Sequence, residues 1–325
     1  MKQSGVKVKQ KRTKYQILLV LLMISLLILG IGGRGSGSQD DITSIVDVEP
    51  PKPLNHILTN NLSDTSTTER MDNRIKQFMR QWDIKGASIS IMKDERLIYA
   101  KGYGWADEEQ NEEVEVKHIF RIASLSKLIT AVAIMKLHEE KRLNLDDTIF
   151  GQNGYLNEPS FLEYRDKRVT NITIEHLLRH KSGFTTRGGD PMFSLSLISK
   201  RLGLNRAVTC EELVEYVLSQ RLGFTPGTST SYSNIGYLLL SMVIEKVTGM
   251  GYEQYVKSEI LYPNGIYDMH IANNFYEQRY SNEVRYYAPS NEEPIRSFDG
   301  SGELMPRYYG GNNIRMLYGA GGGVA

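Results

Sequence analysis

A single cysteine, Cys210, occurs in 325 residues. That excludes an intrachain disulfide and any zinc site built from a cysteine cluster. No cysteine lies near the N-terminal apolar run, which excludes a lipoprotein anchor there. Acidic residues are missing from residues 1–39, although seven of the 39 basic residues lie in that stretch. The rest of the chain holds 32 basic against 38 acidic residues, so the net charge of +1 conceals a mildly acidic body. A body of that sign argues against a phosphate-binding surface and against nucleic acid as a partner. The body also lacks low-complexity sequence. With 40% hydrophobic residues it has apolar material for a proper core.

What is present begins with Ile17–Ile31, an uncharged apolar run behind Lys2, Lys7, Lys9, Lys11, Arg12 and Lys14. A spanning helix needs about 17–25 residues, a length reached by counting Tyr15 to Gly33. Two readings compete. One is a cleaved signal peptide, with small residues around Gly32–Ser38. The other is a signal anchor that keeps its lysines in the cytoplasm, favoured because no A-x-A site follows. Residues 34–67 run from Gly/Ser into Asp, Pro, Asn and Thr and are expected to form a flexible linker. The expected organisation is therefore a basic flank with anchor or signal over 1–33, a linker over 34–67 and one folded domain over 68–325.

Within that domain, Met71, Ile75, Phe78, Met79 and Trp82 fall on one face of a helix expected over Glu69–Trp82. Ala87–Lys93 and Arg96–Gly104 read as a hairpin turning at Asp94-Glu95. A long helix is expected from about Ser124 to Lys141, with Leu128, Ile129, Val132 and Leu137 along it. Thr209 and Glu212 form a capping box that opens another helix. Gly236–Val247 and Tyr252–Leu261 read as further helices, the second stopped by Pro263. Residues 272–318, polar and rich in Tyr and Asn, read as irregular. A hairpin followed by helices implies an α+β fold with helices against an antiparallel sheet.

Ser124-Leu125-Ser126-Lys127 is an S-x-x-K sequence, one of three, with Ser4…Lys7 and Ser90…Lys93. A lysine that activates a serine has to reach its hydroxyl. At i and i+3 on a helix the two side chains are neighbours, whereas on a strand they point to opposite faces. Ser90 and Lys93 fall on an expected strand, and Ser4 and Lys7 in the leader, which leaves Ser124 and Lys127. The start of a helix also favours a developing oxyanion. Downstream, Tyr232-Ser233-Asn234 follows Pro226-Gly227 and precedes a helix. A tyrosine there can relay a proton, and an asparagine offers both a donor and an acceptor. Tyr-x-Asn also occurs at Tyr155, Tyr262 and Tyr280, none of which precedes an apolar helix. His176 and His180 have the spacing for one helical face, but the glutamate of the zinc-protease motif is missing. No metal and no cofactor are expected.

The flanks of these motifs form an ordered string. Phe120-Arg121-Ile122-Ala123 leads into Ser124; Thr173 to Phe184 follows, then Phe224-Thr225-Pro226-Gly227, Tyr232 to Tyr237, and Ile244 to Gly249. From about Thr68 to Ala325 the string resembles the class C β-lactamase-like serine hydrolase family of β-lactamases, penicillin-binding proteins, D-alanyl-D-alanine carboxypeptidases, D-aminopeptidases and esterases. The resemblance implies Ser124 as the acylated nucleophile. It implies Lys127 and Tyr232 sharing acid–base work, and Asn234 holding the lysine and the substrate. It also implies a small-molecule or peptide substrate (a β-lactam, a D-amino-acid peptide or an ester) and a place in the bacterial cell envelope. A tethered penicillin sensor that acylates without turnover fits the same features.

The family's third motif, Lys or His, then Thr or Ser, then Gly, does not occur between Tyr232 and Ala325. Lys181-Ser182-Gly183 has the pattern but precedes Tyr232. The C-terminal strands and helix are therefore expected to be missing, with Tyr318–Ala325 resembling the loop that opens a further helix. The motif's strand would supply a second oxyanion-hole N–H, and losing one such donor typically costs about 10²–10³ in rate. An inactive, truncated gene product is a third reading, and the 325-residue chain is expected to be poorly stable and without turnover. Export is directly testable. A reporter fused after Ser66 is expected to be active outside the cytoplasm, and activity confined to the cytoplasm would overturn the leader assignment.

Overall fold

The computed structural model describes residues 53–289 and 291–325, so the basic flank and the apolar run lie outside the described residues. Among the described residues, no helix is long and apolar enough to cross a membrane. The fold is α+β, as expected, and among the described residues the paired strands run antiparallel, with one isolated parallel bridge between Ile119 and Glu283. Helix α1 (Glu69–Gln81) precedes the hairpin of β1 (Gly86–Lys93) and β2 (Arg96–Asp107), and β2 also pairs with β3 (Glu112–Glu113). A short 3-10 turn, Ala123–Leu125, leads into α2 (Ser126–Glu139). Then come α3 (Ile174–Leu178), α4 (Leu195–Arg201), α5 (Cys210–Leu218), α6 (Asn234–Thr248) and α7 (Tyr252–Val256). The last part adds β4 (His270–Ile271), β5 (Ile295–Arg296), β6 (Leu304–Met305), α8 (Tyr318–Gly321) and β7 (Gly323–Val324). Here β4 pairs with β7 and β5 with β6.

The capping box at Thr209 forms as expected: Glu212 N–H donates to Thr209 Oγ1 and Thr209 N–H to Glu212 Oε2. The Tyr252–Leu261 helix changes character after Val256, where Lys257–Leu261 winds as a π turn. Residues 272–318 are irregular apart from short turns and the β5–β6 pair.

Three expectations need correction. Residues 60–63, placed in the linker, dock on the sheet: Asn60 Nδ2 donates to Val114 O at 2.8 Å and Ser63 Oγ to Ala100 O at 2.9 Å. The apolar stripe of α1 is rotated, so that Met79 is buried but Phe78 and Trp82 are more than half exposed. On α2, Leu128 and Val132 face outward, and the buried face is Lys127, Thr130, Ala133, Ile134 and Leu137. That helix is apolar almost all round, so periodicity does not mark its inner face.

The rotation of α1 has an electrostatic cause. Asp72, about 100° round the helix from Met71, is buried beneath the hairpin. Its carboxylate accepts from Lys101 Nζ at 2.9 Å and from the hydroxyls of Tyr99 and Tyr103, each at 2.7 Å. Lys101 also pairs with Asp64. Burial alone raises the Asp72 carboxyl, but the bonds from Lys101, Tyr99 and Tyr103 outweigh it and hold it below its ordinary value. Met79, Tyr99 and Tyr103 pack around this network with Ile75, Ile89 and Ile91.

Asp72→Ala would leave the buried hydroxyls of Tyr99 and Tyr103 with only each other, so that one of the two lacks an acceptor, and Lys101 with Asp64 alone. The expected loss is about 3 kcal/mol in urea unfolding, and a loss below about 1 kcal/mol would show the network to be dispensable. The folded pKa lies below the unfolded one of about 3.9. The charge-dependent part of the wild-type advantage is therefore complete above that pH and is lost as pH falls through the lowered value.

Candidate active site

The approach to Ser124 is an extended stretch pinned on one side by the chain end. Phe120 and Ala325 exchange N–H···O bonds at 2.8 and 3.0 Å, and Ile122 N–H donates to Gly323 O. On the other side Arg121 is clamped. Its guanidinium donates to Tyr308 O at 2.7 Å and Asn273 O at 2.8 Å. It also pairs with the buried carboxylate of Glu283 and lies 4.4 Å from the Tyr286 ring centre. Ala123 then takes a left-handed φ of +46°, a costly conformation for alanine. The kink starts the helix abruptly, with the Ser124 side chain exposed and Lys127, one turn on, buried.

Lys127 Nζ meets groups from three segments far apart in sequence. It lies 3.2 Å from Ser124 Oγ, donates to Asn234 Oδ1 at 2.7 Å and donates to the Ala320 carbonyl. The Tyr232 ring centre is 4.8 Å away. Tyr232 Oη in turn lies 2.5 Å from Ser124 Oγ. The serine hydroxyl therefore has two possible proton partners, one amine and one phenol. A neutral amine has two N–H donors and one lone pair. With two of its positions on Asn234 and Ala320, the remaining position of the nitrogen, a lone pair in the neutral amine and an N–H in the ammonium, faces Ser124.

Each partner is delivered by a specific local structure. Ser233 caps α6, its Oγ accepting from Gly236 N–H, which fixes Tyr232 just outside the helix and Asn234 as its first residue. His180 supports the Tyr232 side: its ring is 4.7 Å from the Tyr232 ring, and its Nδ1 accepts from Ser233 N–H at 3.3 Å. Burial and then the nearby Lys127 charge push the His180 pKa down, in the direction of the neutral, accepting ring. Ala320 is presented by the Tyr318–Gly323 loop, wedged between α2 and α6. Thr130 Oγ1 donates to Gly319 O, and Gly319 N–H donates to Ser241 Oγ. Ser126 Oγ accepts from Gly323 N–H.

The structure thus brings Ser124, Lys127, Tyr232 and Asn234 into one hydrogen-bonded group. Ser90 and Lys93 lie on β1. Tyr155 donates to Asp147 and Tyr280 to Ile271 O, while Tyr262 lies in a 3-10 turn with Pro263. The two histidines do not share a helical face, because α3 ends at Leu178. His176 closes a second capping box with Thr173, and His180 turns toward Tyr232. Within the Tyr318–Ala325 stretch, Tyr318–Gly321 winds as a single helical turn and Gly323–Val324 is β7. Two participants had no sequence signal: the Ala320 carbonyl, since any residue has one, and Asp190, whose Oδ2 accepts from Asn234 Nδ2 at 2.7 Å. A cleft of about 490 Å³ lies beside the group, lined by Asp190 and Ser233 but by none of its four members.

Gly319 tests the importance of the loop. A Cβ there would lie 2.8 Å from Ser241 Oγ, 2.7 Å from Tyr252 Oη and closer still to Thr130 Oγ1. Gly319→Ala is expected to lower stability by about 1–3 kcal/mol and to draw the Ala320 carbonyl away from Lys127. An unchanged urea midpoint would show that the loop yields freely.

Comparison with known proteins bears on the family and the fold. The family model described as Beta-lactamase matches residues 71–325. Protein flp of Staphylococcus aureus (strain NCTC 8325 / PS 47) is 30% identical over 210 residues, covering 65% of this chain and 38% of its own length. The chain thus spans well under half of that relative. Among solved structures, the octameric penicillin-binding protein homologue from Pyrococcus abyssi is 29% identical. It has a TM-score of 0.58 over 80% of this chain and 54% of its own. The D-amino acid amidase from Ochrobactrum anthropi SV3 shares the fold at 22% identity, with a TM-score of 0.56 over 79% of this chain and 67% of its own. With the family model covering most of its length, the chain belongs to the beta-lactamase family of serine hydrolases.

Proposed function

We propose that this protein is an extracytoplasmic serine hydrolase that works through an acyl-enzyme on Ser124, with a β-lactam, a D-amino-acid peptide or an ester as substrate. The observation that carries this reading is the exposed Ser124 hydroxyl, in reach of both Lys127 Nζ and Tyr232 Oη. In the proposed reaction Ser124 Oγ attacks the substrate carbonyl as its proton passes to Lys127 or Tyr232. The carbonyl oxygen gathers negative charge beside the backbone N–H groups of the first helical turn. The C–N or C–O bond then breaks, and the leaving nitrogen or oxygen takes a proton from Tyr232 or Lys127. A water repeats the sequence in reverse and frees the acid. Kinship with a penicillin-binding protein homologue at 29% identity supports lactams and D-peptides as the first substrates to try. The basic flank and the Ile17–Ile31 run support a membrane-tethered protein with this domain outside the cytoplasm.

A fluorophosphonate probe and a fluorescent penicillin separate the parts of the proposal. The phosphonate is expected to label the chain once, at Ser124, and Ser124→Ala to abolish labelling. Lys127→Ala is expected to slow labelling by about 10²–10⁴. Label persisting in Ser124→Ala, or mapped to Ser90, rejects the nucleophile. One equivalent of released product followed by arrest would mark a sensor in place of a hydrolase.

A further inference from the structure

We infer that Asp190 is a positioning residue for the proton acceptor: its carboxylate fixes the Asn234 amide so that oxygen, and not nitrogen, faces Lys127. The inference rests on the reading of Ser124 and Lys127 as nucleophile and base.

Asn234 is buried between two groups of opposite character. On one side, Lys127 Nζ is 2.7 Å from Oδ1. On the other, Asp190 Oδ2 is 2.7 Å from Nδ2. An ionised carboxylate only accepts hydrogen bonds, so the side of the amide that meets Asp190 has to be the NH₂. The amide oxygen is thereby directed at the amine. Asp190 is itself held from two directions. Its Oδ1 accepts from Met192 N–H at 2.9 Å, capping the turn at Pro191–Phe193, and its carbonyl accepts from Ser194 Oγ at 2.9 Å. Gly188 and Gly189, with φ of +89° and +109°, bring the chain to that turn through a backbone path that other residues rarely take.

The consequence concerns one lone pair. In the observed orientation a neutral Lys127 spends both N–H donors on Asn234 Oδ1 and the Ala320 carbonyl, and its lone pair is free for the Ser124 proton. Rotating the Asn234 amide by half a turn would present an N–H donor to Lys127. That donor would occupy the lone pair, and the base would no longer accept from Ser124. Asp190 touches neither the serine nor the lysine among the described contacts. Its effect passes through Asn234.

The test is a reciprocal exchange. Asp190→Asn keeps an acceptor for Met192 N–H but offers NH₂ to NH₂ at Asn234. Phosphonate labelling of Ser124 is expected to slow by about 10–100-fold, the scale on which small misplacements act. Combining it with Asn234→Asp restores a donor facing an acceptor and leaves one carboxylate oxygen for Lys127. The double variant is expected to regain at least about ten-fold over Asp190→Asn at alkaline pH. Its labelling profile is expected to move to higher pH, because a carboxylate now favours the ammonium form. A merely structural role for Asp190 would give neither the rescue nor the shift. Selective ¹⁵N labelling of asparagine gives a readout that needs no reactivity. The Asn234 side-chain NH₂, identified by its disappearance in Asn234→Asp, is expected to exchange with solvent at least about ten-fold faster in Asp190→Asn. Unchanged labelling in Asp190→Asn, no rescue in the double variant, or unchanged NH₂ exchange would each overturn the inference. Wild-type chain that takes no label at Ser124 would instead reject the underlying function, and the exchange measurement would still decide whether Asp190 holds the amide.

Discussion

A buried lysine amine is the constraint around which this structure is arranged. Burying an amine without partners is costly, and Lys127 has little contact with water. Its partners come from α6, from the Tyr318–Gly323 loop and from the turn that carries Ser124. None of the three can move far without leaving the amine unsatisfied. The packing around them explains itself from there. Gly319 has no side chain because Thr130, Ser241 and Tyr252 occupy the space. The three C-terminal residues run beside Phe120–Ile122, because the Ala320 carbonyl has already brought the chain against α2. A tertiary core and a reaction centre are here held by one set of contacts.

The serine is placed by an opposite device. Ser124 stays exposed at the head of a helix whose next turn is buried, and the kink at Ala123 is what separates the two environments. A left-handed alanine persists only where its surroundings over-determine it. Here the surroundings are the Arg121 clamp upstream and the Ser126 bond to the Ala123 carbonyl at 2.6 Å downstream. Arg121 suits this work because its planar fork reaches two carbonyls and one carboxylate at once while stacking on an aromatic face. A lysine at that position would satisfy fewer of these groups.

How far the sequence discloses all this depends on the range of the interaction. Ser124 and Lys127 are three residues apart, so helical geometry by itself pairs them. The Tyr232 and Asn234 pair announces itself by lying between a Pro-Gly turn and an apolar helix. The capping box at Thr209 is likewise local, and it forms. Asp190 is 44 residues from Asn234, and nothing near either residue marks the bond between them. The Ala320 carbonyl is a backbone group that any residue supplies. Periodicity misplaces the inner face of α2 because nearly every face of that helix is apolar. It misplaces the α1 stripe because one buried aspartate, answering a lysine 29 residues away, turns the helix. Propensity and period report on a segment alone, and such pairings belong to the assembled chain.

The order of donors and acceptors across the site shows why one geometry prevails over its near neighbours. Asp190 only accepts, so Asn234 must donate to it and accept on its far side. Lys127 must then donate to Asn234, and likewise to the Ala320 carbonyl, which can only accept. That leaves one position on the nitrogen, directed at the serine, and the charge state of the lysine decides whether it holds a proton or a lone pair. Ser124 and Tyr232 are the hydroxyls of the series, each with a single oxygen that can both donate and accept, and they are also the exposed ones. Polarity is therefore fixed in the interior and becomes reversible only at the surface, where a substrate carbonyl would arrive. A proton can change hands there without any buried group losing its partner.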